Sequence, residues 1–437
     1  MTEELSKAQD LLASGDVPGL LRQLRWHGDA LPLAEVARLV AGAARLSEFD
    51  DLAEAAAAVA EDGDGTRNVR ALYYYGYACV ERGIDHLAVR PLARALELAP
   101  DSAPVLGELV AALESDGQHA RAVTVLEEHE PAMRWLNRFQ YVYNALMAGS
   151  LDKAADGFWR LPEPEDTAWT PMREKVRRML ARAVIAHAVT TLDHRDLRGW
   201  HYVLTGGILG AISPYGFDAG MTGRWAYVSD SAEACAAALE RLRLVLDTAG
   251  AAPQSVALLP DRSSRIIGMA AATVLDLPAI DFDPGKPAAR SVVVAYDLAN
   301  TDRAAVAALR ERAPGQILFE RATCWTSPPL VTADVSGLLH QTVVAPWAAQ
   351  LRRQEDGTVG PGPADDSPAE AVAAGIAATA PERDEGDGSA PPDPDESLRR
   401  FVAAVTAASA REAHGRWLSG VREHIADAGP VPSNRFL

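Results

Sequence analysis

Two apolar runs that flank a helix constrain the fold of this chain more than any other feature of its sequence. The runs are residues 255–259 and 291–296, and the stretch from about 265 to 275 between them has helical spacing. Continuous apolar runs bounded by turn residues are typical of parallel strands covered on both faces. Ligands of such sheets bind beyond the carboxyl ends of the strands, so we expect a site after these two runs.

The neighbouring sequence continues the alternation of helix and strand. Ser231 is the expected N-cap of a long amphipathic helix, and a short helix at 301–313 precedes a third apolar run at 316–319. This order predicts an open parallel α/β sheet. Residues 193–230 are dense in Gly, aromatic and polar residues and indicate a structured loop region. We place His340 on an apolar helix and expect a core residue there.

The first 190 residues have a helical pattern with an internal repeat of about 34 residues. The clearest copy contains Leu72, Tyr75, Gly76, Cys79, Gly83, Ala88, Leu92, Ala95 and Pro100. A second copy contains Leu106, Leu109, Val110, Leu113, Gly117, Ala122 and Leu126, and weaker copies run through Ala41 and Val142. This part resembles the tetratricopeptide-repeat family over 120 to 150 residues. The resemblance implies an α-solenoid whose concave surface binds a peptide or another domain.

Aromatic residues cluster in the repeat region: Tyr73, Tyr74, Tyr75, Tyr77, Trp135, Phe139, Tyr141 and Tyr143. They fit either a peptide-binding groove, since Tyr and Trp are frequent in binding hot spots, or the core between helices. We expect core positions for Tyr75 and Tyr77 and leave the others open.

Charge is concentrated near the end of the chain. Of the net charge of −18, most lies in residues 354–396, which hold twelve Asp or Glu and one Arg. Low hydrophobicity and high charge predict disorder over 353–395, with a possible Ala-rich helix at 369–378. A C-terminal helix follows, whose apolar stripe includes Trp417 and Leu418. We expect it to dock on a folded domain, with a partner-binding helix on a tether as the alternative.

The predicted fold class is therefore α plus α/β, in several domains. The expected boundaries are 1–192 for the helical repeats, 193–352 for the α/β domain, 353–395 for the linker, 396–427 for the C-terminal helix and 428–437 for a tail. Heavy use of Ala, Arg and Gly is typical of a GC-rich bacterial genome. No apolar run approaches the length of a membrane span, no targeting segment is evident at the start, and we expect a cytoplasmic location.

Cysteine and histidine spacing favours no metal site. Cys79, Cys235 and Cys324 are far apart in sequence and are expected to be reduced, buried thiols. We predict no nucleic-acid partner and no membrane partner, and no cofactor is indicated.

Several residues after the first two strands resemble type I phosphoribosyltransferases. Residues 292–294 resemble the apolar strand of that family, Asp297 stands at one of its two acidic positions, and Thr301 at the first Thr of its phosphate loop. The resemblance covers about 100 residues and implies a phosphorylated ligand such as a nucleotide or ribose phosphate. Tyr296, Asp302 and Ala304 replace an acid, a Gly and a Thr of the pattern, so we predict binding rather than transfer.

The candidate ligand-binding residues lie at both strand ends. Before the helix at 265 stands a dense set of polar side chains: Asp261, Arg262, Ser263, Ser264 and Arg265. With Thr301 they are expected to hold an anion at the helix N-terminus; the alternative is that they cap the helix and pair with neighbours. Asp297 is the candidate catalytic acid or base, or else a helix cap. Two roles are open for a further set of residues, a hood over the ligand or structural loop closure: His201, Tyr202, Tyr215, Asp218, Arg224 and Tyr227.

These observations leave three functional hypotheses. The first is a tetratricopeptide adaptor that binds a protein or peptide and carries a diverged phosphoribosyltransferase-like domain for a phosphorylated ligand. The second is a non-catalytic scaffold or interaction protein. The third is an active transferase or hydrolase on a nucleotide or glycosidic bond, with Asp297 as acid or base.

Overall fold

The computed structural model describes residues 2–63, 67–130, 133–213, 222–353, 357–382, 392–410 and 421–433. The chain divides into two compact units, residues 1–176 and 177–437. The predicted sites at Tyr215 and Asp218 and the predicted stripe residues Trp417 and Leu418 lie outside the described residues.

The first unit is built from helical hairpins. In its described part, successive helices pack in pairs, α1 with α2 through α9 with α10. Their bounds are Glu3–Ala13 (α1), Val17–His27 (α2), Leu33–Leu46 (α3), Asp50–Asp62 (α4), Val69–Val80 (α5), Asp85–Leu98 (α6), Ala103–Ser115 (α7), His119–Glu128 (α8), Trp135–Met147 (α9) and Leu151–Arg160 (α10). A further helix, α11, runs from Thr170 to His187, and the division between the units falls within it.

Each of the five hairpins turns in the same way. A residue with positive φ ends the first helix of each pair, and these residues recur every 32 to 35 positions: Gly15, Glu48, Gly83, Gly117 and Gly149. The next N–H in every turn donates to the carbonyl five residues back, as in Ile84 to Cys79 and Gln118 to Leu113. This is the hydrogen bond of a Schellman motif, which favours Gly at the left-handed position. The repeat predicted from sequence therefore extends to a fifth hairpin, α1 with α2.

The packing within the hairpins follows the predicted alternation of small and large residues. A Cβ on Gly76 of α5 would lie 2.4 Å from Cγ of Leu92 on α6, so only Gly allows this approach. Tyr75 is fully buried, as predicted. Tyr77 is 40% exposed, so its predicted core position is wrong. Its ring stacks on Tyr73 of the same helix instead.

The second unit contains a parallel sheet. Its strands are Ile208–Leu209 (β1), Trp225–Ser229 (β2), Ser255–Leu258 (β3), Ala279–Asp281 (β4), Ser291–Ala295 (β5), Ile317–Cys324 (β6) and Val335–Val344 (β7). The strand order is β1-β7-β6-β5-β3-β4, and every pairing is parallel. Strand β2 also pairs in parallel with β7, beyond β1 on the same edge. The predicted parallel α/β sheet is confirmed.

Helices cover both faces of this sheet. Helix α13, Ala232–Thr248, precedes β3, helix α14, Arg262–Leu275, follows it, and helix α15, Arg303–Ala308, follows β5. Helix α14 packs at Gly268 on Leu258 and Val294, whereas α15 packs through Val306 on the face of Ala257 and Val293. Alternate residues of a strand point to opposite faces, so α14 and α15 lie on opposite faces of the sheet. The chain therefore leaves β3 towards one face and β5 towards the other. The crevice between their carboxyl ends is therefore a topological switch point.

Further elements of this unit also lie outside the predicted set. Helix α12, Leu197–Thr205, lies within the stretch predicted as loop. His340 lies on β7, so its predicted helix is wrong; residues 335–340 are all buried, as in a strand that is covered on both faces. All three cysteines are buried and unpaired, as predicted. None of the described helices is long and apolar enough to cross a bilayer.

Much of the predicted disordered linker is ordered where it is described. Strands β8, Leu351–Arg353, and β9, Val359–Pro361, form an antiparallel hairpin. Helix α16, Ala369–Ala378, coincides with the predicted Ala-rich helix and packs on α14 through Ala373 and Ile376. The small side chains of α16 allow close packing, which the acidic composition of the segment concealed.

The C-terminal helix docks on the α/β unit of its own chain. Helix α17, Asp395–Ser409, packs on α13 and buries Leu398, Phe401, Val402 and Val405. Residues 421–428 have no regular secondary structure, so the described helix is shorter than the predicted 396–427.

Candidate functional site

The switch point brings together predicted residues from two loops. Asp261 follows β3, whereas Asp297 and Thr301 follow β5. The Thr301 hydroxyl donates to Oδ2 of Asp261 at 3.2 Å and to the main-chain oxygen of Asp297 at 3.3 Å. Asp297 and Thr301 are both buried. With Glu320, described next, these residues form what we call the switch-point cluster.

Glu320 is a buried carboxyl that the sequence analysis missed. It lies on β6, accepts a hydrogen bond from the Leu298 N–H at 2.7 Å and another from the Thr323 hydroxyl at 2.6 Å. Burial raises the pKa of Glu320 to about 8, and the nearby charge of Asp297 acts in the same direction. A carboxyl with this pKa is mostly protonated at neutral pH. Burial also raises the pKa of Asp297.

Asp297 caps a short 3-10 helix, which is the structural role that the sequence left open. Its Oδ1 accepts from the Ala299 N–H at 2.9 Å and its Oδ2 from the Asn300 amide at 2.7 Å. Both carboxylate oxygens are therefore engaged by neighbours of their own loop. Asp302, the residue that departs from the phosphate-loop pattern, similarly caps α15 through the N–H groups of Ala304 and Ala305.

The two arginines predicted to hold an anion make other contacts. Arg262 donates to the main-chain oxygens of Asp365 and Ser367, both at 2.8 Å, and so anchors the segment before α16. Arg265 forms an ion pair with Asp281 at 2.8 Å. Neither guanidinium hydrogen-bonds to the switch-point cluster.

The remaining predicted donors also serve the fold. The Ser263 hydroxyl accepts from the indole of Trp347 at 3.0 Å, and the buried Ser264 hydroxyl accepts from the Tyr296 N–H at 3.0 Å. Asp261 is the N-cap of α14 and accepts from the Ser264 N–H at 2.8 Å. A carboxylate thus occupies the helix N-terminus, where an anion would otherwise be favoured.

The chemistry of the cluster follows from its oxygens. Among the described residues, no Lys or Arg hydrogen-bonds to the carboxyl groups of Asp261, Asp297 or Glu320. Carboxylate oxygens accept hydrogen bonds from hydroxyl or amine groups and, when ionised, repel phosphate. The cluster therefore suits a ligand rich in hydroxyl donors, such as the diol of a sugar, better than a phosphate.

His201 and Arg224, the two predicted hood residues, line one cavity of about 60 Å³ together with Thr323, Trp325 and Ile425. Burial, together with the charges of Arg224 and Arg182, lowers the pKa of His201 to about 3. His201 is therefore a neutral imidazole at physiological pH.

Arg224 holds the end of the described chain. Its guanidinium donates to the main-chain oxygens of Ala428 at 2.7 Å and Val431 at 2.9 Å, and lies 5.1 Å from the ring centre of Trp325. The neighbouring tyrosines do not join it, because Tyr202 is buried against Phe401 and Tyr227 is exposed on β2. These contacts match the alternative reading, loop closure, rather than a hood.

A second buried group accounts for the tyrosine that departs from the phosphoribosyltransferase pattern. The Tyr296 hydroxyl donates to Oδ2 of Asp230 at 2.9 Å, and Arg321 pairs with Oδ1 of the same carboxylate at 2.6 Å. Burial also lowers the pKa of the adjacent His340 to about 4. The charged pair Glu320 and Arg321, which interrupts the apolar run of β6, was the sequence signal for this network and for the cluster.

In the described part of the chain, no group of three or more His, Cys, Asp or Glu is arranged to hold a metal ion. The sequence matches no protein-family model and no curated protein.

Proposed function

We propose that this protein is a non-catalytic adaptor, in which a tetratricopeptide-like helical unit binds a protein or peptide and the α/β unit is a scaffold. The observation that carries the proposal is the turn that recurs in all five described hairpins every 32 to 35 residues. Stacked helical hairpins present a continuous surface for a partner, because each repeat contacts its neighbours in the same way.

Exposed aromatic side chains support this role for the helical unit. Tyr74 and Tyr77 of α5 are 48% and 40% exposed, and both belong to the predicted aromatic cluster. Large aromatic residues on a surface are typical of binding hot spots. The α/β unit lends no comparable support to catalysis, since the predicted donors Arg262 and Arg265 are held by Asp281 and by main-chain oxygens.

Site-specific photo-crosslinking tests the adaptor proposal in the full chain. Tyr74 is replaced by p-benzoylphenylalanine, and irradiation in a lysate of the source organism should give discrete protein adducts. The matched control places the same group at Tyr227, which is equally exposed, at 47%, on the α/β unit. The same adducts from both positions, or none from position 74, would contradict the proposal.

A ligand site at the switch point is the second candidate function, favoured by the convergence of Asp261, Asp297 and Thr301. It retains the phosphoribosyltransferase-like expectation of a nucleotide or ribose phosphate. Thermal melts with phosphoribosyl pyrophosphate, ribose 5-phosphate and ribose separate the two candidates. A bound ligand at 100 times its Kd stabilises the chain by about 2.7 kcal/mol, and Thr301→Val should abolish that shift. The scaffold function predicts no shift with any of the three.

A further inference from the structure

One face of α5 combines aromatic rings with uncompensated negative charge. Tyr73, Tyr77 and Glu81 are spaced four residues apart and so line up along the helix. The rings of Tyr73 and Tyr77 stack with centroids 6.2 Å apart and planes inclined by 23°. Glu108 of the neighbouring helix α7 lies beside them, and its charge raises the pKa of Tyr73, after burial as the main cause. We call these four residues the tyrosine face.

Glu108 is the informative member of the tyrosine face. Its side chain is partly buried, yet it makes no hydrogen bond or ion pair with any described residue. Burial raises the pKa of Glu108, and the charge of Glu81 raises it further. A partly desolvated carboxylate without a partner is unfavourable, and a cation would relieve that cost. Arg70, on the same helix, lies over the ring of Tyr74 instead, 5.5 Å from its centre.

We propose that the tyrosine face binds an arginine or lysine side chain of a cationic peptide segment in the partner. The cation would pair with Glu108 and lie against the exposed ring of Tyr77, whose π face attracts positive charge. This inference rests on the proposed adaptor function and specifies the chemistry of its partner. Residues 1–176 hold 29 Asp or Glu and 17 Lys or Arg, and this local excess of negative charge favours the approach of such a segment.

Fluorescence anisotropy with the full chain tests the proposal. The probe is a fluorescein-labelled nonapeptide of alternating Arg and Gly, at about 150 mM salt to screen distant charges. Glu108→Gln should weaken its binding about tenfold, the effect of losing one charge-assisted hydrogen bond. The matched control is Glu54→Gln, the same change at an exposed glutamate of α4, which should alter binding less than about twofold.

A second pair of variants tests the aromatic contribution. Tyr77→Leu should weaken binding about threefold to tenfold, whereas Tyr77→Phe keeps the ring and should bind within about twofold of the wild type. Circular dichroism and thermal melts of each variant verify that the helices remain folded.

Three results would overturn the inference. The first is an equal loss of binding for Glu108→Gln and Glu54→Gln, which would indicate general attraction to an acidic chain. The second is equal binding of a nonapeptide of alternating Glu and Gly. The third is no binding of the Arg and Gly probe. If that probe does not bind but Tyr74 crosslinks to a protein, the cationic-segment inference fails and the adaptor function stands. If neither occurs, both fail.

Discussion

Ionisation of Glu320 should make the α/β unit less stable as the pH rises, and Glu320→Gln should remove this dependence. The carboxyl is fully buried on β6, and burial moves its pKa from 4.5 to about 8. The native state therefore binds more protons than the unfolded state between these pH values. The stability that the proton provides is fully present below pH 4.5, declines as the pH rises, and is lost above about pH 8.

The size of the effect follows from the same two pKa values. One pKa unit corresponds to about 1.4 kcal/mol. Once Glu320 is ionised in both the native and the unfolded state, the native state is therefore less stable by about 4 to 5 kcal/mol than at low pH. An amide cannot ionise and still accepts a hydrogen bond from the Leu298 N–H, as the carboxyl does at 2.7 Å. Relative to the wild type, Glu320→Gln should thus become more stable by several kcal/mol between pH 4.5 and pH 9.

Hydrogen exchange of the β6 amides measures this difference within the α/β unit. Wild type and variant are compared at each pH, so that the intrinsic exchange rate cancels. A stabilisation of about 4 kcal/mol slows exchange through global opening by roughly a thousandfold. Glu311→Gln, at an exposed position of the same unit, is the matched control and should show no such trend. A constant difference between Glu320→Gln and wild type from pH 5 to pH 9 would refute the reasoning.

Three further predictions concern packing and buried charge. Gly76→Ala should lower the stability of the helical unit by about 1 to 3 kcal/mol in urea denaturation, because the added Cβ would clash with Leu92. Gly107→Ala is the control: its added Cβ would have no atom closer than 3.7 Å, so this variant should be neutral or gain up to ~1 kcal/mol. Asp393→Asn should weaken exchange protection of α17 by about 3 to 5 kcal/mol, because the buried Asp393 pairs with Arg198 and Arg241. Asp395→Asn, at an exposed partner of Arg241, should weaken it by less than ~1 kcal/mol. Because the pKa of His201 falls from 6.5 to about 3, stability should decrease as the pH drops below 6.5, and His201→Leu should flatten the curve followed by fluorescence.

The sequence predicted those parts of the fold that depend on local periodicity. The repeat was visible because Gly83 and Gly117 stand at equivalent positions in two hairpins, and the parallel sheet because β3 and β5 are continuous apolar runs. Strands β1, β2, β4 and β7 were not predicted, and β2 lies within the stretch predicted as loop. β1 and β4 have two and three residues, which is too short for a period, and β7 contains His340 within its apolar run.

The candidate site was predictable only in part. Strand order determines where a side chain at a strand end lies, but it does not determine which group that side chain hydrogen-bonds. Strand order places Asp261 beside Thr301, and the rule for parallel sheets anticipated this. The partners of Arg262, by contrast, are main-chain oxygens about 100 residues further along the chain, and those of Arg224 lie about 200 residues away. No periodicity records such contacts. An arginine near a strand end was therefore as consistent with anchoring a distant segment as with binding an anion.

These distant contacts also determine where the α/β unit ends. Asp393 lies buried between Arg198 and Arg241, at 2.7 and 3.0 Å, and the buried Arg422 pairs with Asp334 at 3.0 Å. A chain that stopped at the predicted domain boundary of residue 352 would leave Arg198 and Arg241 without Asp393, and Asp334 would keep Arg312 but lose Arg422. Removing one member of a buried pair costs about 3 to 5 kcal/mol, a large share of the stability of a domain. The segments beyond residue 392 are therefore structural parts of the unit, and binding measurements on it require the full chain.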